Sequence, residues 1–284
     1  MGARLRQIHR RIANVRHVRQ ITKAMYTIAA TQVIQRKRAL LAARPFTEAA
    51  GSVLADLVAT AHREGLTHPL VHSAGRPGTA LLVVNADRGL CGRYVLDLNR
   101  ATAELAHEKD EARILAGGEK AHHHFRRSPW PIVKSYLHAY DRPTAEVAQR
   151  IRDDLLSLYG TEVGEAHVVY TYFRGELAQQ VRVERLLPVD LPPGRPRDVL
   201  VEPDLTTILD ELVHLYLTGR ILRILLEAKT SEHAVRRQAM KAATDNADEL
   251  LEKLTLSYNK ARQHRITTEL ADIMGGAEAL REEG

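Results

Sequence analysis

The two ends of this chain constrain its fold most, because each is a long run almost free of helix breakers with apolar residues every three or four positions. From Ala3 to His62 the only proline is Pro45, and no glycine follows Gly2 until Gly51. Leu5, Ile8, Ile12, Val15, Val18, Ile21, Met25 and Ile28 fall on one winding stripe of a helix. About 55 helical residues would extend roughly 80 Å at ~1.5 Å rise per residue, far beyond what a globular domain needs. Pro45 removes one ladder hydrogen bond and crowds the preceding turn, so an interruption or kink is expected there.

From Leu205 to about Arg281 the chain is again helical in pattern, with no proline and only Gly219, Gly275 and Gly276 as weak points. Leu209, Leu212, Tyr216, Leu222, Leu226, Met240, Ala243, Ala247, Leu250, Leu254, Tyr258 and Ala261 trace its apolar stripe. Such a helix approaches roughly 115 Å and draws its stability from packing one face rather than from propensity. The N-terminal helix is the obvious partner. A connecting domain lets the chain return antiparallel, which predicts a coiled coil of the two termini. The longer C-terminal helix should overhang, leaving Leu270, Ile273, Met274, Ala277 and Leu280 without a partner in the same chain, and an exposed apolar tip implies another protein around it.

The middle reads differently. Thr79–Asn85 is patterned as a buried strand, the stretch after Arg93 as a helix, Ala112–Ala116 as a strand and Thr144–Tyr159 as an amphipathic helix. His167–Phe173 and Gln179–Leu187 read as two more strands joined as a hairpin through Arg174-Gly175. Strands alternating with helices predict a compact, Rossmann-like α/β unit. The Pro-rich run from Leu191 to Pro196 reads as a linker. The expected division is therefore 1–62, 78–200 and 205–284.

Charge is concentrated at one end. The net charge is +6, yet residues 1 to 40 hold ten Arg or Lys and no acid. A transit peptide is disfavoured, since such segments are Ser-rich, whereas here the apolar stripe runs on into the following helix. The basic helix could neutralise nucleic-acid phosphates or an acidic protein surface, and composition alone leaves both open. No run reaches the ~20 apolar residues of a membrane helix. Cys91 is the only cysteine, which precludes an internal disulfide and suits a reducing compartment.

No catalytic constellation stands out by spacing. Asp87-Arg88-Gly89-Leu90-Cys91-Gly92 follows a strand and precedes a helix, where an α/β protein can bind phosphate or place a nucleophile. It matches neither GxxxxGK[ST] nor GxGxxG, so it reads as a structural turn around a buried cysteine. His122-His123-His124 cannot converge on one ion, because neighbours on a helix point about 100° apart. A solvated helix end beside Arg126 and Arg127 is the expectation, with no metal, cofactor or catalytic residue.

Ile21-Thr22-Lys23-Ala24-Met25 and Ile28-Ala29-Ala30 resemble the N-terminal signature of the gamma subunit of F-type ATP synthases. The likeness is stronger in Ala239–Ala247, Tyr258–Gln263, Ile266–Leu270 and Gly276-Ala277, and Asp87–Gly92 resembles the family's central motif. The resemblance implies an antiparallel coiled coil of terminal helices with an α/β domain. It also implies a non-catalytic central shaft turning inside three alpha and three beta subunits and joined to the epsilon subunit and the c-subunit ring. The expected location is the cytoplasmic face of a bacterial plasma membrane, with membrane contact only through the c ring. Carried over residue by residue, it makes Lys23, Met25, Arg262, Gln263 and Thr267 the contacts to alpha and beta. Leu270, Ile273, Met274, Ala277 and Leu280 become the tip running in an apolar bearing. Thr27, Gln32, Arg237 and Arg93-Tyr94 depart from the family's usual residues, and the cysteine-bearing insert of chloroplast relatives is absent.

Overall fold

The computed structural model describes residues 2–109, 111–197 and 201–282. Two helices bracket the chain: α1 (Gly2–Arg63) and α5 (Leu205–Glu282). Between them lie β1 (Thr79–Val84), α2 (Tyr94–Glu108), β2 (Ala112–Gly117), α3 (Glu119–Phe125), β3 (Ile132–Tyr136), α4 (Ala145–Leu158), β4 (Glu165–Phe173) and β5 (Gln179–Leu187). Helix α1 continues through Pro45 without a break, so the expected interruption does not occur. A proline costs one ladder bond, and α1 retains buried anchors on both sides of it at Leu40, Ala50 and Leu54.

Two compact units divide the chain, one of residues 1–28 with 237–284 and the other of residues 29–236. In the first, α1 and α5 run antiparallel. Arg19 pairs with Asp248, and the Thr244 hydroxyl donates to that of Thr22 at 2.9 Å, while Leu5 and Ile8 face Ala261 and His264 across a shared groove. Facing positions therefore fall on α5 as they rise on α1.

The second unit is built on a five-stranded sheet of order β3-β2-β1-β4-β5, parallel except for β5. Alternation along β1 sends Ala80, Leu82 and Val84 to one face and Leu81 and Val83 to the other. The first face packs on α4 and on stretches of α1 and α5, through Ile151, Leu155, Leu54, Leu57, Val213, Leu217 and Ile224. The second packs on α2 and α3 through Ala106, Ala121 and Phe125. Both faces of a parallel sheet are thus covered, which accounts for the continuous burial of β1.

Strand β3 is not legible in the sequence pattern because it is a half-exposed edge, buried fully only at Tyr136. The expected hairpin is present: β4 and β5 pair antiparallel, with reciprocal bonds between Gly175 and Ala178 in the connection. The Pro-rich run is not a free linker. Asp56 accepts from the Arg195 amide at 2.9 Å, Thr60 from the Arg197 amide at 3.0 Å, and the Arg197 guanidinium meets Asp56 at 2.7 Å. At Gly194 an added Cβ would lie 1.9 Å from the Ala55 carbonyl, so this close approach to α1 needs glycine.

Candidate partner-binding surface

In the helix-pair unit, the side chains singled out for partner contact are displayed rather than packed. Lys23, Arg262, Gln263 and Thr267 are exposed, whereas Met25 is half-buried. The seam thus takes part of Met25 while the helix presents Lys23 outward. Lys23 lines a groove of about 220 Å³ with Arg19, Lys241 and Asp245, a mixed-charge rim held by the Lys241–Asp245 pair at 2.8 Å. A second groove of about 430 Å³ lies between Leu5 and Ile8 on α1 and Ala261 on α5. Its rim is basic, with Arg4, Lys260, His264 and Arg265. Arg262 and Gln263 lie beside it on α5, and the Thr267 hydroxyl donates back to the Gln263 carbonyl at 3.0 Å.

Lys23 and Arg262 are not brought into one site. Lys23 stands level with Asp245, and Arg262 level with the start of α1. They stand at two levels of one helix pair. Further along α5, Leu270, Ile273 and Met274 are 56%, 67% and 69% exposed, and Ala277 is exposed. The side chain of Leu280 lies outside the described residues.

In the sheet unit, the Asp87–Gly92 loop is folded against α5. Leu90 and Gly92 take left-handed backbone conformations, φ 61° and 55°, and Cys91 is 2% exposed. Burial pushes the Cys91 thiol up, against the nearby Arg236, which suits a packed residue rather than a nucleophile. Asp87 Oδ1 accepts from the amides of Glu119 and His138, both at 3.0 Å, and so joins the turns after β2 and β3. Arg236 donates to the carbonyls of Arg88 and Gly89 at 3.3 Å and to Glu232 at 2.7 Å. Among the histidines, His122 meets the Ser135 hydroxyl at 2.9 Å, while His123 and His124 are exposed.

The charged residues of α5 that meet this loop were missed in the sequence pattern. They occupy the gap in the apolar stripe between Leu226 and Met240, where Lys229, Glu232 and Arg236 recur at helical spacing. That spacing was the available signal, since it puts three charges on one face.

A family model described as ATP synthase matches residues 4–280. The ATP synthase gamma chain of Halothermothrix orenii is 38% identical over 285 residues, covering 98% of this chain and 99% of the relative. The chain belongs to the ATP synthase gamma-chain family. The gamma chain of Trichormus variabilis is also 38% identical, over 97% of this chain and 99% of its own length. A chain of the Euglena gracilis mitochondrial ATP synthase shares the fold with a TM-score of 0.70 at 16% identity, covering 99% of this chain and 95% of that one. A chain from the Tetrahymena thermophila central stalk and c-ring gives 0.64 at 24% identity, over 78% and 99%. As a gamma-family fold, the long antiparallel helices with a Rossmann-like unit are as the sequence predicts. Family membership gives the nucleic-acid reading of the basic helix no support. Among the described residues, no helix is long and apolar enough to cross a membrane.

Proposed function

We infer that this chain is the central-stalk rotor subunit of an F-type ATP synthase, coupling transmembrane ion flow to ATP synthesis or hydrolysis at the beta subunits. The observation that carries this is 38% identity to a named ATP synthase gamma chain over nearly the full length of both. The chain itself is non-catalytic; chemistry belongs to the beta sites. Its partners are the three alpha and three beta subunits, the epsilon subunit and the c-subunit ring. It sits peripherally at the cytoplasmic face of a bacterial plasma membrane, touching the membrane only through the c ring. The proposed division keeps 1–62 and 205–284 as the shaft helices and 78–200 as the α/β domain, although 29–62 and 205–236 of those helices belong to the sheet unit.

The mechanism is differential contact. An asymmetric shaft shows a different face to each of three chemically identical beta subunits and biases each toward a different conformation, so nucleotide affinity changes without the shaft touching nucleotide. Lys23 and Arg262 supply charge-assisted hydrogen bonds to carboxylates on the surrounding loops, with Met25, Gln263 and Thr267 beside them. Exposure of Lys23, Arg262, Gln263 and Thr267 supports that role. Leu270, Ile273, Met274, Ala277 and Leu280 form the apolar tip, and the exposure of the first three is what a bearing surface requires.

The test is genetic and biochemical. Membranes from the native host lacking this chain should lose ATP-driven ion pumping and ATP synthesis, and regain both when the chain is restored. A complex that assembles and couples normally without it rejects the rotor reading.

A further inference from the structure

Helix α5 is enclosed on every side where it crosses the sheet unit: each residue from Ile224 to Glu232 is buried. Apolar side chains of this stretch, Ile224, Leu225 and Ala228 among them, interdigitate with the core and already hold the helix by packing. Directional bonds from several elements grip it as well. Tyr94 of α2 donates to the Ala228 carbonyl at 3.0 Å, and Ser231 donates to the Thr171 carbonyl of β4 at 3.1 Å. The loop after β1 receives Arg236 at the carbonyls of Arg88 and Gly89. Asp141, in the turn after β3, lies 3.3 Å from Lys229, and Glu184 of β5 lies 3.3 Å from Arg220. Lys229, 2% exposed, also meets Glu232 at 2.8 Å and stands 3.9 Å from the otherwise unpartnered Asp87 Oδ2.

We propose that this collar, with Arg236, Lys229 and Tyr94 as its positioning residues, is the clutch that fixes the angle of α5 within the α/β domain and passes torque between them. Hydrogen bonds weaken steeply with misalignment and ion pairs with separation, so contacts spread around the helix circumference oppose rotation and sliding together. Helix α5 runs on past Arg236 without a break, and torque delivered to the collar enters the helix there. The crevice beyond the carboxyl ends of the parallel strands, where open α/β sheets bind ligands, is filled by the protein's own helix. The glycine-containing loop lies against this segment: an added Cβ at Gly92, which takes φ 55°, would stand at ordinary contact distance, 3.4 Å, from Val235.

The proposal rests on the rotor reading and is tested in the assembled complex. Arg236→Met, Arg236→Lys and Tyr94→Phe complexes are compared with the parent for ions pumped per ATP hydrolysed. With Leu177→Cys, 84% exposed in the β4–β5 connection, as labelling site, the angular spread of an attached probe is measured in the stalled complex. Arg236→Met should lower pumping per ATP at least two-fold and widen the angular spread, with the two milder variants intermediate and hydrolysis by the detached complex unchanged. A merely structural role would lower assembly yield and leave both readouts at parent values. Parent values of both in complexes that assemble overturn the proposal, and if Arg236→Met does not assemble, Arg236→Lys and Tyr94→Phe decide it. Pumping by the parent complex tests the rotor reading separately.

Discussion

Lys229 and Glu232, one turn apart on α5, meet at 2.8 Å with side chains only 2% and 4% exposed. Burial works to raise the Glu232 carboxyl, and Lys229 together with Arg236 outweighs it, holding that group below the usual carboxylate range. Lys229→Met leaves Glu232 with Arg236 alone and removes the cation facing Asp87 and Asp141. Breaking one partner out of a buried ion network costs about 3 kcal/mol. Urea unfolding of the purified variant checks this; a loss below about 1 kcal/mol would show that Arg236 compensates by itself.

Glu227 behaves in the opposite sense. Burial pushes its carboxyl up to about 7 from the usual 4.5, against the nearby Arg223 and Arg44. The folded protein therefore binds a proton that the unfolded chain has released, and stability from this group is full below pH 4.5 and declines as pH rises through about 7. The span corresponds to about 3 kcal/mol at ~1.4 kcal/mol per unit. Glu227→Gln should match the parent near pH 4.5 and exceed it in melting temperature at pH 8. Parallel curves across that range would remove Glu227 as the source.

Gly118 joins β2 to α3 at φ 84°, and an added Cβ would lie 2.7 Å from the Asn85 carbonyl. Both the backbone region and the approach exclude a side chain. Gly118→Ala should cost about 3 kcal/mol, read by thermal unfolding. A variant within about 0.5 kcal/mol of the parent would mean that the β1 loop gives way.

Arg262→Ala and Lys23→Ala remove exposed side chains outside any core cluster. Surface substitutions of this kind stay within about 0.5 kcal/mol of parent stability, so circular dichroism and melting of the isolated chain should be unchanged. Coupled ATP synthesis by reconstituted membranes should fall. Equal synthesis rates would take the residue concerned out of the proposed contact set.

The helices were legible because their evidence is local and periodic: Leu5 to Ile28 and Leu209 to Ala261 repeat at three and four residues, and propensity does not contradict them. Strand β1 was legible as an unbroken apolar run. Strand β3 was not, since an edge strand with one fully buried residue carries no alternation that a short window can detect. For the proposed contact set, the motifs single out Lys23 and Arg262, but their separation into two levels along the helix pair depends on how α1 and α5 align.

The Asp87–Gly92 loop marks the same boundary most sharply. From sequence it was a strand-to-helix turn around a cysteine, which is what its local backbone is. Its partner lies more than a hundred residues away, where Arg236 bonds to the Arg88 and Gly89 carbonyls. The long helices, the α/β class of the middle and the family can be read from the linear chain, because periodicity and motif order are properties of it. That the charges interrupting an apolar stripe are buried emerges in three dimensions alone, since a buried ion and a solvated one look alike until their partners are brought from elsewhere in the chain.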